Sequence, residues 1–392
     1  MKLKELLKDI TVLKTNADME LEIDHVAYDS RKVQPGGMFV AITGFATDGN
    51  RFIPMAMEKG AAVIVTAKEP EGEIPYVLVD SDRLALAYIG RNFFGNPAAS
   101  MQMIGVTGTN GKTTVSNLLT DALRADGKKV VNNRTGSNIV PGCTTNLINC
   151  LNWLGKCKVD AAVYEVDERA SRLILPHLKP DYLVVTNLFR DSLKRNAPPD
   201  YIFSVIDTFC PDHTKMILNA DELCSSMLKK NNPRVYYGID KLPTDLTKSI
   251  NIVADYSICP ECGTSLTYDY LRYHHIGHAV CPNCGFHSCD ADYLVTKIDS
   301  EAKKLTLNIK GNEKEFPLIS DITFNIYNEL TVITTLLEIG TPMERVYDLV
   351  AQIQVPDSRL NHVKAGNITV VQAMSKGQSC ISSCRTFDYV SN

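Results

Sequence analysis

The sequence predicts an α/β protein in three parts. These are a small N-terminal α/β domain, a central doubly wound P-loop-type domain with a zinc-ribbon insert, and a truncated C-terminal α/β domain. Three observations carry that reading. Short β-branched runs alternate with helix-length polar segments, the pattern of a mainly parallel sheet. A Gly-rich stretch, GVTGTNGKTT (Gly105 to Thr114), stands between an apolar strand and an amphipathic helix. Two C-P-x-C-G knuckles begin at Cys259 and Cys281.

The first part, residues 1–98, places short strands at DHVAYDS, GMFVAI, AAVIVTA and YVLVD, with a helix around Ile53 to Lys59. NPAAS (Asn96 to Ser100) breaks the pattern and marks a boundary. The central part, 99–354, opens on the strand MQMIGVTG, continues with buried-strand runs at 161–166, 182–186 and 216–218, and carries a helix at Asn325 to Glu338. The cysteine knuckles lie in an insert over 253–292. Beyond VPDSRLN a new strand, NITVVQA, begins close to the last residue, so 355–392 reads as the start of an incomplete domain.

Length and composition agree with such a chain. At 392 residues, 44% hydrophobic and 22% charged, it has material for two or three globular domains. A formal net charge of -4 offers no global reason to bind a polyanion, which argues against nucleic acid. The N-terminus MKLKELLKDITVLKTN lacks an apolar signal core, and no run approaches the roughly 18 apolar residues of a membrane span, so a cytoplasmic protein is expected. In that setting the 12 cysteines read as reduced thiols plus a metal site.

The Gly-rich stretch has the context of a phosphate-binding loop. Backbone N–H groups and the helix N-terminus would face the phosphates of ATP, Lys112 would reach the β/γ-phosphates, and Thr113 would ligate Mg²⁺. The strict G-x-x-x-x-G-K-[ST] pattern is not met, because Val106 stands at its first glycine and Gly108 supplies the turn later. A carboxylate at the end of a following strand is needed to hold the Mg²⁺, and AAVYEVDERA offers Glu165 and Asp167. Solvated acids at a strand end are the competing reading.

The GTNGKTT loop after a strand resembles the variant phosphate loop of the Mur ligase family, whose members form amide bonds in peptidoglycan precursors. The resemblance implies an ATPase-type central domain in which ATP phosphorylates a carboxylate and an amine then displaces the phosphate. It places Gly108, Thr109, Asn110, Gly111, Lys112, Thr113 and Thr114 around ATP, and Glu165 with Thr113 at Mg²⁺. Asn138, in a turn NRTGSN that includes Gly136, and Asp167 would lie near substrate and metal, although Gly136 to Asn138 could equally be a plain turn. TNLFRDSLKR and the EVDE run resemble the MurT branch, which makes Asn187, Arg190 and Asp191 candidates at a strand's carboxyl end, although Asp191 could instead cap a helix. Lys194 is a weak counterpart of a carbamylated lysine that other members use for a second metal. Asn325 and Asn328 match positions near the nucleotide base, although both could equally cap the helix that follows; Arg359, a further ATP-site candidate, corresponds to an arginine that the family usually shows after Gly, where Ser358 stands here at altered spacing.

In the N-terminal part, the stretch DSRKV to AAVIV (Asp29 to Val65) resembles MurE-type ligases, where this domain binds the uridine diphosphate end of the precursor. Ser30 and Arg31 become candidates, with Asp48, Gly49 and Asn50 in the adjacent turn. A domain kept for packing alone is the alternative.

The knuckles pair Cys259 with Cys262 and Cys281 with Cys284, separated by eighteen residues, which fits a four-cysteine zinc ribbon. Four thiolates leave no open position, so the Zn²⁺ would be structural. His274, His275, His278 and His287 read as surface or outer-sphere residues, Arg272 is the one full cation nearby, and Cys380 and Cys384 read as ordinary thiols. Such an insert also resembles the MurT branch. Two enzyme readings follow from the resemblance. One is MurT-like amidation of stem-peptide D-glutamate in a muramoyl-peptide precursor (lipid II or UDP-linked), with ammonia from a GatD-like glutaminase subunit. The other is MurE-like addition of an amino acid to a UDP-linked muramoyl dipeptide. A third reading is an ATP-binding paralogue without catalysis, and the fragment alone is expected to be inactive.

Overall fold

The computed structural model describes residues 1–44, 48–95, 101–134, 138–139, 142–143, 146–147, 150, 159–190, 198–248, 255–353, 360–366 and 368–373. Asn96 to Ser100, Gly136, Asp191, Lys194, Arg359, Cys380 and Cys384 lie outside them. Two compact units make up the chain, one within residues 1–100 and one beginning at Met101.

The first unit is a sheet of β1 (Val12–Thr15), β2 (Val26–Ala27), β3 (Met38–Ala41), β4 (Val63–Thr66) and β5 (Tyr76–Val79), in the order β1-β5-β4-β3-β2. Its neighbours run parallel except β1, which is antiparallel to β5. Side chains alternate between the faces, as a strand requires. Met38, Val40, Val63 and Val65 pack with Leu3 and Leu6 of α1 (Leu3–Leu6) and with Ala85 and Ile89 from Asp82–Phe93. Phe39, Ala41 and Ile64 point the other way, onto Ile53 and Ala56 of α2 (Ile53–Glu58). Because both faces are covered, these strands are apolar throughout. The helix Asp82–Phe93 is α3.

The second unit is built on nine strands: β6 (Gln102–Thr107), β7 (Val130–Asn132), β8 (Ala161–Glu165), β9 (Tyr182–Val185), β10 (Lys215–Asn219), β11 (Arg234–Ile239), and, after a hairpin, β14 (Tyr293–Asp299), β15 (Lys304–Ile309) and β16 (Asn312–Pro317). The hairpin strands are β12 (Thr267–Tyr273) and β13 (Ile276–Val280). The order is β16-β15-β14-β11-β10-β9-β6-β8-β7, parallel from β7 to β14 and antiparallel beyond. Helices α4 (Lys112–Ala125), α8 (Thr323–Glu338) and α9 (Met343–Gln352) cover one face through Val115, Leu119, Ile333, Leu336 and Val346. On the other face α5 (Ser171–Leu178) and α6 (Pro199–Phe209) bring Leu175, Ile202 and Ile206 against Leu183, Val185, Met216 and Leu218. A short helix, α7 (Leu223–Ser226), follows β10. A last hairpin pairs β17 (Leu360–Ala365) with β18 (Ile368–Ala373).

The connectivity creates the site. From β6 the chain builds β7 and β8 on one side, then crosses to β9 on the other. The carboxyl ends of β8 and β9 therefore flank the loop that leaves β6, the switch point at which ligands of open parallel sheets bind.

Candidate functional site

The loop from β6 to α4 is held in a form that requires its glycines. Gly111 has φ +84°, and a Cβ there would stand 2.5 Å from Asn328 Oδ1. At Gly108, φ +125°, a Cβ would meet Thr186 Oγ1 at 2.2 Å and the Asn187 carbonyl at 2.9 Å. Side chains larger than hydrogen are therefore excluded at both places. Gly111 is the N-cap of α4, a 14-residue helix, so the first N–H groups of that helix open toward the loop.

The β9 wall grips the loop from one side. Thr109 N–H donates to the Asn187 carbonyl at 2.8 Å. The Asn187 side chain closes on the next residue in both directions, Oδ1 accepting from Asn110 N–H and Nδ2 donating to Asn110 O, each at 3.1 Å. Thr109 Oγ1 accepts from Phe189 N–H and donates to Phe189 O, both at 3.0 Å. Asn187, singled out from sequence, is thus a clamp on the loop backbone. Arg190 lies at the surface and donates to Asp255 Oδ1 at 2.7 Å. From α8, Asn328 is buried beside Gly111, while Asn325 Nδ2 reaches Ser320 Oγ at 3.2 Å. The helix begins at Thr323 with Ile322 as its N-cap, so neither asparagine is the cap.

The β8 wall carries the acids. Glu165 is buried; its N–H donates to Asn133 Oδ1 at 2.9 Å, its carbonyl accepts from Asn133 Nδ2 at 2.8 Å, and its Oε1 accepts from Asn138 Nδ2 at 3.0 Å. Asp167 Oδ1 accepts from the N–H groups of Arg169 and Ala170 at 3.0 and 3.2 Å, which secures the turn into α5. The next acid was not singled out from sequence. Glu168 Oε1 lies 3.1 Å from Lys112 Nζ, and the two side chains are only 8% and 6% exposed. Lys112 Nζ also donates to the Gly108 carbonyl at 3.1 Å. Burial pulls the Lys112 ammonium down, but Glu168, Glu165 and Asp167 outweigh it and hold the lysine above its ordinary value. Burial pushes the Glu168 carboxyl up against the opposing pull of Lys112, so its charge depends on that partner. Thr113 and Thr114 are half-buried in the first turn of α4.

The four knuckle cysteines converge. All ligand sulfurs lie within 4.8 Å of one another, with Cys259 to Cys284 at 3.6 Å and Cys262 to Cys281 at 3.5 Å. A tetrahedral Zn–S₄ unit with bonds near 2.3 Å needs sulfurs about 3.8 Å apart, so the cluster fits the metal. Each knuckle closes alike: Gly263 N–H donates to Cys259 O and Gly285 N–H to Cys281 O, at 3.0 and 3.1 Å.

One expectation about the insert is corrected. His274 and His275 are not surface residues: they are 9% and 4% exposed, because the β12–β13 turn is driven into the second unit rather than held in solvent. His275 Nε2 meets Glu222 Oε1 at 2.8 Å, and its ring lies 4.7 Å from that of Phe189. Burial alone would push Glu222 up, but His275 and Ser225 outweigh it and hold the carboxyl below its ordinary value. Arg272, the insert's one full cation, is buried and paired. Its side chain is 4% exposed and bonds to Asp221 at 3.3 Å and Asp245 at 2.8 Å.

In the first unit, Ser30 is buried and its hydroxyl donates to Met55 Sδ at 3.3 Å. Arg31 is 82% exposed and forks onto Asp29, Nε to Oδ1 at 3.0 Å and Nη2 to Oδ2 at 2.8 Å. That guanidinium holds the Asp29 carboxyl down at about 2. Asp48 Oδ1 accepts from Asn50 N–H at 3.0 Å, and a Cβ on Gly49 would strike the Ile42 carbonyl at 2.6 Å.

A parallel run of strands with a Gly-rich strand-to-helix loop at its switch point defines the phosphate-loop class of α/β fold. Within that class the chain belongs to the Mur ligase family: residues 22–90 match the model described as Mur ligase family, catalytic domain, and residues 106–259 the Mur ligase middle domain. It is 35% identical over 240 residues to the lipid II isoglutaminyl synthase (glutamine-hydrolyzing) subunit MurT of Staphylococcus aureus, covering 61% of this chain and 53% of the relative. It is 31% identical over 290 residues to UDP-N-acetylmuramoyl-L-alanyl-D-glutamate--2,6-diaminopimelate ligase 1 of Clostridium acetobutylicum, covering 70% and 59%. The chain thus spans a little over half the length of these relatives. A pseudomurein peptide ligase type C from Methanothermus fervidus shares the fold, with TM-score 0.58, 19% identity, and 90% and 75% of the two chains covered. Among the described residues no helix is long and apolar enough to cross a membrane.

Proposed function

We propose that the chain carries the ATP-activating machinery of an amide-forming ligase that acts on a muramoyl-peptide precursor in the cytoplasm, and that its reaction is MurT-like amidation. The observation that carries the proposal is the convergence at the switch point of Lys112, the N-terminus of α4, Glu165 and the Asn187 clamp. These are the parts that phosphoryl transfer to a carboxylate asks for. N–H groups and a lysine receive phosphate oxygens, and a hydroxyl and a carboxylate (Thr113, Glu165) present a donor set that suits Mg²⁺. A substrate carboxylate oxygen would attack the γ-phosphorus and expel ADP; the amine would then attack the acyl carbon, lose a proton and expel phosphate. The chain's contribution is to hold those groups and neutralise charge between them.

In this reading Gly108 to Thr114 with Asn325, Asn328 and Arg359 form the ATP site, and Asn138, Asp167, Arg190 and Asp191 face the substrate. A structural Zn²⁺ sits on Cys259, Cys262, Cys281 and Cys284. The likeness to a MurT subunit and the four-thiolate insert favour ammonia as nucleophile and a GatD-like glutaminase as partner. The second reading, MurE-like addition of an amino acid, draws on the first unit and on the likeness to a diaminopimelate ligase.

ADP release from the purified full-length protein, measured with a muramoyl-peptide substrate, separates the two. Turnover with ammonia but not with a free diamino acid is expected; the reverse would overturn amidation in favour of amino-acid addition. For the metal, Cys281→Ser is expected to lose about one zinc per chain by elemental analysis, and unchanged content would refute the four-thiolate site.

A further inference from the structure

We infer that the β12–β13 hairpin of the four-cysteine insert is part of the nucleotide site, with His275 and Glu222 as positioning residues that set the loop-gripping segment Asn187 to Phe189. This rests on the reading of the Gly105 to Thr114 loop as the ATP site. The structural basis is a continuous set of short contacts. Glu222 is fully enclosed and its carboxylate accepts four hydrogen bonds: from His275 Nε2 at 2.8 Å, Leu188 N–H at 3.1 Å, Cys224 N–H at 3.0 Å and Ser225 N–H at 2.8 Å. Leu188 stands between Asn187 and Phe189, the two residues whose backbone and side chain hold Thr109 and Asn110. The His275 ring also lies against the Phe189 ring, with centroids 4.7 Å apart. The hairpin tip therefore braces the β9 wall twice, once through Glu222 and once by packing.

A second route reaches the loop at Gly111. Close to the same tip, Arg272 of β12 donates to the hydroxyl of Tyr327 and to Asp221. Tyr327 OH in turn donates to Asp221 Oδ2 at 2.5 Å. The residue after Tyr327 is Asn328, whose Oδ1 closes over Gly111. The hairpin itself is fastened to the core by Gly277 N–H donating to the Asp221 carbonyl at 2.8 Å. At its open end β13 runs directly into Cys281, so the four-cysteine cluster anchors the strand that follows His275.

Two linked results follow, because a site that prefers one arrangement of the hairpin must stabilise that arrangement when filled. First, in the zinc-loaded protein His275→Leu should weaken ADP binding about tenfold by calorimetry, whereas His275→Gln, which keeps a donor for Glu222, should stay within about twofold of wild type. Circular dichroism and the melting curve check that both variants are folded. Second, saturating ADP should slow the loss of zinc to a chelator in the wild-type protein by a similar factor, a readout that needs no variant. Folded His275→Leu with wild-type ADP affinity, or zinc release indifferent to ADP, would overturn the inference. Failure of the wild-type protein to bind ADP at all would instead overturn the ATP reading on which it stands.

Discussion

Lys112 and Arg31 are both cations set beside a carboxylate, and both stand where the sequence places an anionic ligand. They are built in opposite ways. Lys112 and Glu168 are nearly sealed from solvent, whereas Arg31 is 82% exposed and grips Asp29 from outside. In water such a pair gains little, because solvent screens the attraction and both side chains lose freedom. Under a loop and between two strand ends each charge has surrendered its hydration, and either one alone would be costly. The comparison teaches that the switch-point crevice holds its cation in place before a ligand arrives, while the first unit offers a cation that a ligand must itself immobilise.

The largest expected effect that sharpens this contrast comes from a buried acid that has no counterion among the described residues. Glu329 on α8 is 1% exposed; its Oε2 accepts from Ile319 N–H at 3.0 Å, and its Oε1 has no partner among the described residues. Burial pushes its carboxyl up to about 8. The folded state therefore holds a proton that the unfolded chain gives up above its ordinary value of 4.5, so stability falls as pH rises from there to about 8. Chemical denaturation of Glu329→Gln across that window should lack a loss of roughly 4 kcal/mol that wild type shows. Parallel curves for the two proteins would refute the assignment.

Next in size is Glu168→Ala, which strands the Lys112 ammonium and should cost about 3 kcal/mol by denaturant titration at neutral pH. Glu168→Gln leaves an oxygen for the lysine and should lose less. Gly111→Ala comes third, at about 2 kcal/mol from the left-handed backbone alone, with ADP affinity reduced at least about tenfold as Asn328 is pushed away. The smallest effect belongs to the exposed pair: Asp29→Asn should leave the melting temperature unchanged. A drop there matching that of Glu168→Ala would break the comparison.

Much of the fold was legible because its signals are local. The runs at 161–166, 182–186 and 216–218 became β8, β9 and β10, and the helix expected from Asn325 begins two residues earlier, at Thr323. The Gly-rich loop and the cysteine knuckles are contiguous or nearly so, and their spacing carries their geometry. Asn187 was legible as a candidate, but its action as a clamp on Asn110 was not, since 77 residues separate them. His274 and His275 were misplaced for a similar reason. Nothing in a polar-looking turn reveals that it will be buried against a strand end from elsewhere in the chain.

The sequence by itself determined the strand runs at 161–166, 182–186 and 216–218, the loop, the set of four spaced cysteines and the family, all of which follow from period, spacing and residue type over short stretches. Only the tertiary structure decided which charges are buried and with whom. Lys112 finds Glu168 across 56 residues and Glu222 finds His275 across 53. Those meetings depend on β8 and β9 lying on opposite sides of β6 and on a hairpin inserted among strand ends. Desolvation, which gives each charge its energetic weight, is a property of that packing and has no local signature.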